Sequence, residues 1–416
     1  MATLTPAQAD ALRRVYPSLL AKVLRFTGSL PDAEDAVHDA VERALSSWTV
    51  STLPEAPEAW LLTVARNSHR DRRRRARRTD SHADAVEVLA RLSPCAQLVA
   101  ARPEIGGGFG DEFLRLLFAC CHPALEDGES AALALATVVG LSNDEVARAF
   151  VVAPRSMEQR LTRARKRLRE KGDVEGTTSE RSSGRLPAVL RTVHLLFNEG
   201  YWSGDDETPI RGDLCRLALG LSRSLVEIYP REPEAAGLLA LLLLHEARRP
   251  SRLDESGNPV PLPDQDRTQW DRGAIRQAST ILEQALHAGL PGPLQTEAAI
   301  AATHCMARSA DETDWSEISA LYALLERFRP TPAVRVHRAF AVGKARGAAA
   351  GLALLEQADV DVTSYPYVHL VRGALLQEAG EVRDAVWSLE KAVACARNAH
   401  ERRQIEERIA RLEART

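Results

Sequence analysis

Residues 142–170 read SNDEVARAFVVAPRSMEQRLTRARKRLRE, and they predict two helices joined by a tight turn. Ser142 and Glu145 have the spacing of a capping box, in which each side chain accepts a hydrogen bond from the other residue's backbone N–H. Pro154 suits the first turn of a second helix, where its missing N–H is not needed. Apolar residues then recur at helical spacing, and we expect them to face the core: Met157, Leu161, Ala164 and Leu168. This order of elements is typical of a helix-turn-helix.

The outer face of the second helix is basic and also carries an amide. In a helix-turn-helix, the N-terminal part of this helix enters the major groove of DNA. Arginine there can bond guanine O6 and N7, and glutamine can bond an adenine edge. The predicted DNA-binding residues of this helix are Arg155, Ser156, Gln159, Arg160, Arg163, Lys166 and Arg167. Arg165 and Arg169, together with Lys166, are expected to meet phosphates. The alternative is a basic surface helix in a bundle.

A second basic helix is predicted to begin at Pro57, with Trp60, Leu61, Val64 and Ala65 on its buried side. Trp60 could stack on a base, but its place in the apolar stripe favours the core. Seven arginines between Arg70 and Arg78 are opposed by Asp71 alone, so a polyanionic partner is expected. The alternative is a solvated face or tail. The predicted DNA-binding residues here are Arg66, Asn67, Arg70, Arg73 and Arg74.

An acidic helix is predicted before the second basic helix. Its apolar stripe contains Ala33, Val37, Ala40, Val41, Ala44 and Trp48. The remaining face carries Asp32, Glu34, Asp35, Asp39 and Glu42. One reading is a solvated face, and the other is a docking surface for a protein partner.

Apolar residues recur at three- and four-residue steps through most of the 416-residue chain, so we predict an all-α fold. The net charge of −3 excludes a uniformly basic protein that coats nucleic acid. The six scattered cysteines indicate reduced thiols, and the run Leu238 to Leu244 is too short to span a bilayer. We therefore expect a cytoplasmic protein without a membrane segment, a metal or a cofactor.

Composition breaks predict the following division. Residues 1–80 form an N-terminal module, 81–110 a linker, 111–172 a helix-turn-helix module and 173–184 a second linker. Residues 185–310 form a helical extension, and 311–416 form helical repeats. The repeats are predicted because a shift of 34 residues aligns Arg338 with Arg372, Leu355 with Leu389, and Ala339 with Gly373. This is the period of tetratricopeptide helix pairs, whose concave face suits a peptide or helix.

Two of these segments resemble known regions of one family. Residues 32–37 (DAEDAV) and 59–67 (AWLLTVARN) resemble region 2 of the extracytoplasmic-function sigma factors, and residues 140–170 resemble their region 4. The remainder resembles the sigma-factor group with a tetratricopeptide-like C-terminal domain. The shared segments include residues 118–123 (FACCHP), 197–201 (FNEGY), 264–267 (DQDR) and 313–315 (TDW).

The resemblance implies a non-enzymatic subunit that brings RNA polymerase core to promoter DNA. The acidic helix around Asp35 would dock on the polymerase clamp helices, and the flap would be a further contact. Ser46 to Pro57 would capture a flipped base of the −10 element, and Arg66, Asn67 and Arg70 would contact DNA there. The helix from Pro154 would read the −35 element, and a protein partner would bind the C-terminal repeats.

Two other classes of function remain open in the sequence. One is a repeat-protein adaptor with a vestigial DNA-binding half. The other is an enzyme that uses the loop from Asp264 to Arg267, although this loop is better explained as a tie between helices. Cys120, Cys121 and His122 lack the usual spacing of zinc ligands. The pairs His194 with Glu199 and His304 with Cys305 lack an orienting third group.

Overall fold

The computed structural model confirms the all-α prediction. It describes residues 6–48, 54, 56–76, 109–150, 152–171, 184–202, 210–255, 257–358, 360, 365, 367–396 and 399–414. Across these ranges, the helices leave one isolated β-bridge, between Leu253 and Pro259, and no β-strand. Two compact units are present, one formed by residues 1–203 and 210–224 and the other by residues 204–209 and 225–416.

The N-terminal module contains helices α1 (Pro6–Thr27), α2 (Leu30–Ser47) and α3 (Pro57–Ala76). Gly28 takes a left-handed φ of 73° between α1 and α2, and Ser29 caps α2 by accepting a hydrogen bond from the backbone N–H of Asp32 at 3.4 Å. The predicted apolar stripe of α2 is buried along its whole length. It packs against α3 and α1, so the three helices share one core with Leu19, Leu20 and Leu61.

The helix-turn-helix module begins with α4 (Phe109–Cys120), α5 (Asp127–Ala134) and a π-helical segment (Leu135–Val139). It ends with α6 (Asn143–Ala149) and α7 (Pro154–Lys171). The predicted capping box is confirmed, because Ser142 Oγ accepts from Glu145 N at 3.2 Å and Glu145 Oε2 accepts from Ser142 N at 2.6 Å. Every residue of the predicted inner face of α7 is buried. A short capped helix thus packs against a longer one, as predicted.

Helix α8 (Leu186–Tyr201) and most of α9 (Gly212–Ile228) belong to the first compact unit. Helix α8 packs on α5, and Arg185 donates to the carbonyl oxygen of Phe118 at 3.1 Å. Arg211, just before α9, forms an ion pair with Glu145 at 2.6 Å. The predicted domain division stays a prediction. The compact units group the residues differently, because α8 and most of α9, the first helices of the predicted extension at 185–310, fall in the same unit as the helix-turn-helix module.

The second unit continues with α10 (Pro233–Ala247), α11 (Arg272–His287) and α12 (Pro293–Met306). It then contains α13 (Trp315–Phe328), α14 (Pro332–Arg346), α15 (Ala348–Gln357), α16 (Val368–Ala379), α17 (Val382–Val393) and α18 (Ala399–Glu413). Sequential helices pack against each other. The last helix also reaches back along the unit, since Arg403 donates to Asn258 and Gln404 donates to the carbonyl of Pro259, each at 3.2 Å.

The 34-residue period is visible in the packing of α14 to α17. A Cβ added to Gly351 would lie 2.8 Å from the carbonyl oxygen of Ala339. Shifted by 34 residues, a Cβ added to Gly373 would lie 3.3 Å from the carbonyl oxygen of Ala385. Positions 339 and 351 of the first helix pair, and the equivalent positions 373 and 385 of the second, therefore both approach closely, with the glycine at 351 in one pair and at 373 in the other. A close approach at equivalent positions is expected of a structural repeat.

Candidate nucleic-acid and protein interfaces

Helix α7 presents a continuous exposed polar face. Arg155, Ser156, Gln159, Arg163 and Lys166 are exposed, and all five were predicted to contact DNA. The buried face of the same helix fixes their direction, because its apolar residues occupy the core. A helix end with exposed guanidinium and amide groups can enter a major groove and bond base edges.

Two further predicted DNA-binding residues of α7 are partly held by the module itself. The Arg160 guanidinium lies over the Phe150 ring, 5.7 Å from its centroid, and the residue is half-buried. Arg167 forms an ion pair with Glu129, whose carboxylate is almost fully buried and also bonds the N-cap of α5. These contacts join α7 to α5 and α6, so both arginines stabilise the module whatever else they bind.

Helix α3 presents the second basic face. Arg66, Asn67 and Arg70 are exposed, and the Arg66 guanidinium lies 5.3 Å from the Phe26 ring centroid. Arg73 and Arg74 belong to α3, but their side chains lie outside the described residues. The capture segment Ser46 to Pro57 is also only partly described.

The sequence interpretation missed Arg43. A shallow groove beside α3 is lined by Arg43, Asn67, Arg70 and Asp71, so α2 contributes a cation to the basic face of α3. The signal was available in the helical spacing, because Arg43 comes one turn after Asp39 and shares its face of α2. Three of the four lining side chains can bond or attract a phosphate or a base edge.

Trp60 is half-buried and packs against Trp48, with ring centroids 5.3 Å apart. Trp48 is buried at the end of α2. The pair supports the interpretation of Trp60 as a core residue.

Arg72 holds part of the acidic face of α2. Its Nε and Nη2 donate to the two carboxylate oxygens of Asp39 at 2.8 and 2.6 Å, and Nη1 lies 2.8 Å from Asp35. Ser68 also donates to Asp39. Burial raises the pKa of the Asp39 carboxyl, but the hydrogen bonds from Arg72 and Ser68 outweigh burial and leave the pKa below its usual value. The carboxylate is therefore ionised and fixed in position.

The five predicted polymerase-binding carboxylates divide into two sets. Asp32 and Glu42 are exposed, and Glu42 Oε1 lies 3.1 Å from His38 Nε2. Glu34, Asp35 and Asp39 are engaged inside the chain, and Glu34 is buried at 9% exposure. A fully outward acidic face is therefore not what the structure shows at Glu34, because this side chain meets the helix-turn-helix module.

The loop from Asp264 to Arg267 makes structural contacts. Arg267 Nη1 donates to the carbonyl oxygens of His304 and Ala307 at 2.8 and 2.7 Å, at the C-terminal end of α12. Trp270 lies beside it, with the Arg267 guanidinium 4.7 Å from the ring centroid. Asp266 caps the short helix after it by accepting from Thr268 N at 2.9 Å. The Arg267 bonds tie the loop before α11 to carbonyl groups at the C-terminal end of α12 that lack an intrahelical partner.

The pair His304 and Cys305 lies at the same helix end. Burial, helped by the nearby charges of Arg248 and Arg267, lowers the pKa of His304 to about 4. Burial raises the pKa of the Cys305 thiol, although three arginines oppose the shift. At neutral pH both side chains are uncharged. Among the described residues, no group of three His, Cys, Asp or Glu side chains could hold a metal ion, and no helix is long and apolar enough to cross a membrane.

Three families match successive parts of the chain. The family described as Sigma-70 region 2 matches residues 11–79, and the one described as Sigma-70, region 4 matches residues 115–168. A family of unknown function (DUF6596) matches residues 185–286. An uncharacterized protein of Rhizobium meliloti (strain 1021) is 41% identical over 392 residues, which cover 94% of this chain and 92% of the relative. No solved structure matches the chain significantly.

Proposed function

The chain belongs to the extracytoplasmic-function group of sigma-70 factors, with a C-terminal helical extension, and we propose how its surfaces serve promoter recognition. Helix α2 binds core RNA polymerase, α3 contacts the −10 element, and α7 reads the −35 element. Sigma factors are initiation factors and not enzymes. Because core polymerase and promoter DNA are its partners, the proposed place of action is the cytoplasm.

The observation that carries the proposal is the exposed face of α7. Arg155, Gln159 and Arg163 project from one side of a helix whose other side is buried against α5 and α6. A capped helix-turn-helix holds this face rigidly, and rigid placement is what base readout requires. The exposed residues Arg66, Asn67 and Arg70 on α3 supply the second contact that a two-element promoter needs.

Arg163→Ala tests the DNA contact of α7 more specifically than Arg160→Ala does. Arg163 is exposed, whereas Arg160 packs over Phe150 and its removal would also disturb the module. One lost arginine contact to a base is worth about 1–3 kcal/mol, so we expect promoter-specific transcripts to fall by about tenfold or more. Arg191→Ala, which removes an exposed arginine from α8, is the matched control.

The assay is run-off transcription with purified core polymerase and a pool of promoter fragments. Wild type and Arg191→Ala should yield the same discrete transcripts. Equal transcription by Arg163→Ala would contradict the role of α7. A wild-type chain that neither starts transcription nor retains core polymerase in a pull-down would favour the adaptor alternative.

The extension is proposed to be required for activity. Support comes from the first unit, where α8 packs directly on the helix-turn-helix module and Arg211, just before α9, forms an ion pair with Glu145 of that module. Part of the extension therefore supports the DNA-reading fold. A protein partner on the C-terminal repeats remains a second, separate part of the proposal, motivated by the helix pairs of α14 to α17.

A further inference from the structure

The acidic face of α2 contacts the C-terminal half of α7. Asp35 Oδ1 accepts a hydrogen bond from Arg169 Nη2 at 3.2 Å. Glu34 Oε2 lies 3.7 Å from Arg165 Nε. Thr137, in the π-helical segment, donates to Glu34 Oε1 at 3.1 Å. These five residues are called the closing contact, and all of them belong to the first compact unit.

We infer that the closing contact is autoinhibitory: in the free chain, the helix-turn-helix module covers the acidic surface of α2 that core polymerase must reach. The inference rests on the proposed function of α2. Binding of polymerase then requires the two modules to separate, which breaks the closing contact together with the packing of α1 on α4.

The closing contact buries Glu34 and engages Asp35, two carboxylates of α2. Glu34 is 9% exposed, and its two oxygens face Thr137 and Arg165. Asp35 is shared between Arg169 and Arg72. A polymerase helix could not bond these carboxylates while α7 occupies the same surface. Asp32 and Glu42 stay exposed at either end of the face, so a first encounter with polymerase does not require opening.

The arginines of α7 have different surroundings along the helix. Arg155 near its N-terminus and Arg163 at its middle are exposed and, among the described residues, make no ion pair with α2, whereas Arg165 and Arg169 in its C-terminal half face carboxylates of α2. Arg165 and Arg169 were both expected to meet DNA phosphates. In the closed form, in which the closing contact is intact, Glu34 and Asp35 of α2 pair with these two arginines in place of DNA phosphates. One contact therefore covers a polymerase-binding surface and a phosphate-binding surface together.

In the closed form, α3 and α7 also lie too close together to contact both promoter elements at once. The names of the −10 and −35 elements place them about 25 base pairs apart, which is about 85 Å along B-form DNA at about 3.4 Å per base pair. Helices α3 and α7 have 20 and 18 residues. Arg72 of α3 and Arg169 of α7 both bond Asp35, so the two helices meet near their C-terminal ends. At about 1.5 Å per residue, their combined length is no more than about 60 Å. Because the closed form cannot place both helices on their elements, promoter binding needs the separation as well.

The expected effect on affinity follows from population. When only a fraction of molecules is competent to bind, the apparent Kd equals the intrinsic Kd divided by that fraction. Loosening the closing contact should therefore tighten the binding of core polymerase in the absence of DNA. We expect a decrease in apparent Kd of about fivefold or more.

The first test is the double variant Arg165→Glu, Arg169→Glu, measured for binding to core polymerase without DNA. The control is Arg191→Glu, Arg216→Glu, which makes the same change of charge at exposed positions of α8 and α9. The variant Arg165→Glu, Arg169→Glu should bind core polymerase more tightly than wild type, because its closing contact is broken. The control should bind like wild type. Thr137→Val removes only the hydrogen bond to Glu34, and it should shift the affinity in the same direction by a smaller factor.

Different results would overturn autoinhibition alone or the polymerase-binding role of α2 as well. Equal or weaker binding by both Arg165→Glu, Arg169→Glu and Thr137→Val, with folded protein by circular dichroism, overturns autoinhibition while α2 keeps its role. Failure of wild type and every variant to bind core overturns the proposed function of α2, and autoinhibition is then overturned with it.

A second test detects the contact without polymerase. In the variant Arg169→Lys, a carbodiimide should join the amine introduced at position 169 to the Asp35 carboxylate, and mass spectrometry should find the linked peptides. The native pair Lys22 and Glu58, 2.6 Å apart within the N-terminal module, is an internal positive control. Addition of core polymerase should lower the yield of the Asp35 link and leave the Lys22 link unchanged. Absence of the Asp35 link in the free chain, with the control link present, would overturn the inference.

Discussion

Asp35 and Asp39 share one guanidinium, that of Arg72, across the packed helices α2 and α3. The sequence shows both carboxylates on the polar side of α2 but not their partners. Arg72 is 33 residues from Asp39, and Arg169 is 134 residues from Asp35. Helical spacing predicts which residues share a face, because it is local. It does not predict pairs that only tertiary packing brings together, so the burial of Glu34 could not be foreseen.

Asp39→Asn tests the Arg72 contact through stability. The variant keeps the shape of the side chain but loses the charge that Arg72 binds, so we expect a loss of about 1–3 kcal/mol in the free energy of unfolding at about pH 7. The folded pKa of Asp39 is below its ordinary value of 3.8. Its stabilisation is therefore present above that value and is lost as the pH falls through the lowered folded pKa.

The measurement is urea unfolding of wild type and Asp39→Asn between about pH 7 and about pH 3. The difference between the two proteins should be constant down to about pH 4 and then shrink. Asp71→Asn, at an exposed position of α3, is the control and should change little. A difference that does not depend on pH would show that the charge of Asp39 is not what stabilises the module.

Arg267→Ala should destabilise the second unit. Arg267 is 7% exposed, and it donates to two backbone carbonyls at the end of α12 that have no intrahelical partner. Loss of these bonds leaves two part-buried acceptors without their donor, at a cost of about 1–3 kcal/mol. Thermal unfolding of Arg267→Ala and of the exposed control Arg276→Ala gives the comparison. A wild-type thermal shift with a small molecule, abolished by Asp266→Ala, would instead favour a ligand site in this loop.

At the scale of helices, local signals predicted much of the structure. The capping box of Ser142 and Glu145, the inner face of α7 and the apolar stripe of α2 were all confirmed, because each depends on residues within a few turns. The 34-residue period was inferred from only a few aligned positions. Its packing at Ala339 and Gly351 recurs at Gly373 and Ala385 because small residues are needed wherever two helices approach closely.

Substitution of the two repeat glycines by alanine should have unequal effects. A Cβ at Gly351 would lie 2.7 Å from the Cα of Gly343 and 2.8 Å from the carbonyl oxygen of Ala339, and backbone cannot easily move. At Gly373, the nearest atoms belong to the Leu389 side chain, 2.8 and 2.9 Å away, which can rotate. Overpacking of this kind costs about 1–3 kcal/mol. Thermal unfolding should place Gly351→Ala below Gly373→Ala, and the reverse order would contradict the repeat packing.

At the scale of the molecule, the sequence does not predict which neighbour the first helices of the extension pack against. The polar stretch at residues 173–184 predicts a linker, and residues 185–310 were predicted to be a helical extension separate from the repeats at 311–416. In the structure, α8 covers α5, and its residues Val189, Val193 and Phe197 are fully buried. Composition indicates where a chain can bend. It does not indicate which neighbour an apolar helix will cover after the bend.

Two truncations therefore test different properties of the extension. Truncation after Val174 removes α8 and α9, so the apolar surface of α4 and α5 becomes exposed and the remaining chain should aggregate or melt at a much lower temperature. Truncation after Arg231 keeps α8 and α9 complete, and we expect it to fold with the helix-turn-helix module intact. Circular dichroism and size-exclusion chromatography would check both products. If the second unit is required for activity, the chain truncated after Arg231 should be folded yet fail in run-off transcription with core polymerase. Full transcription by that chain would show that only α8 and α9 are needed, and that they act by supporting the DNA-reading fold.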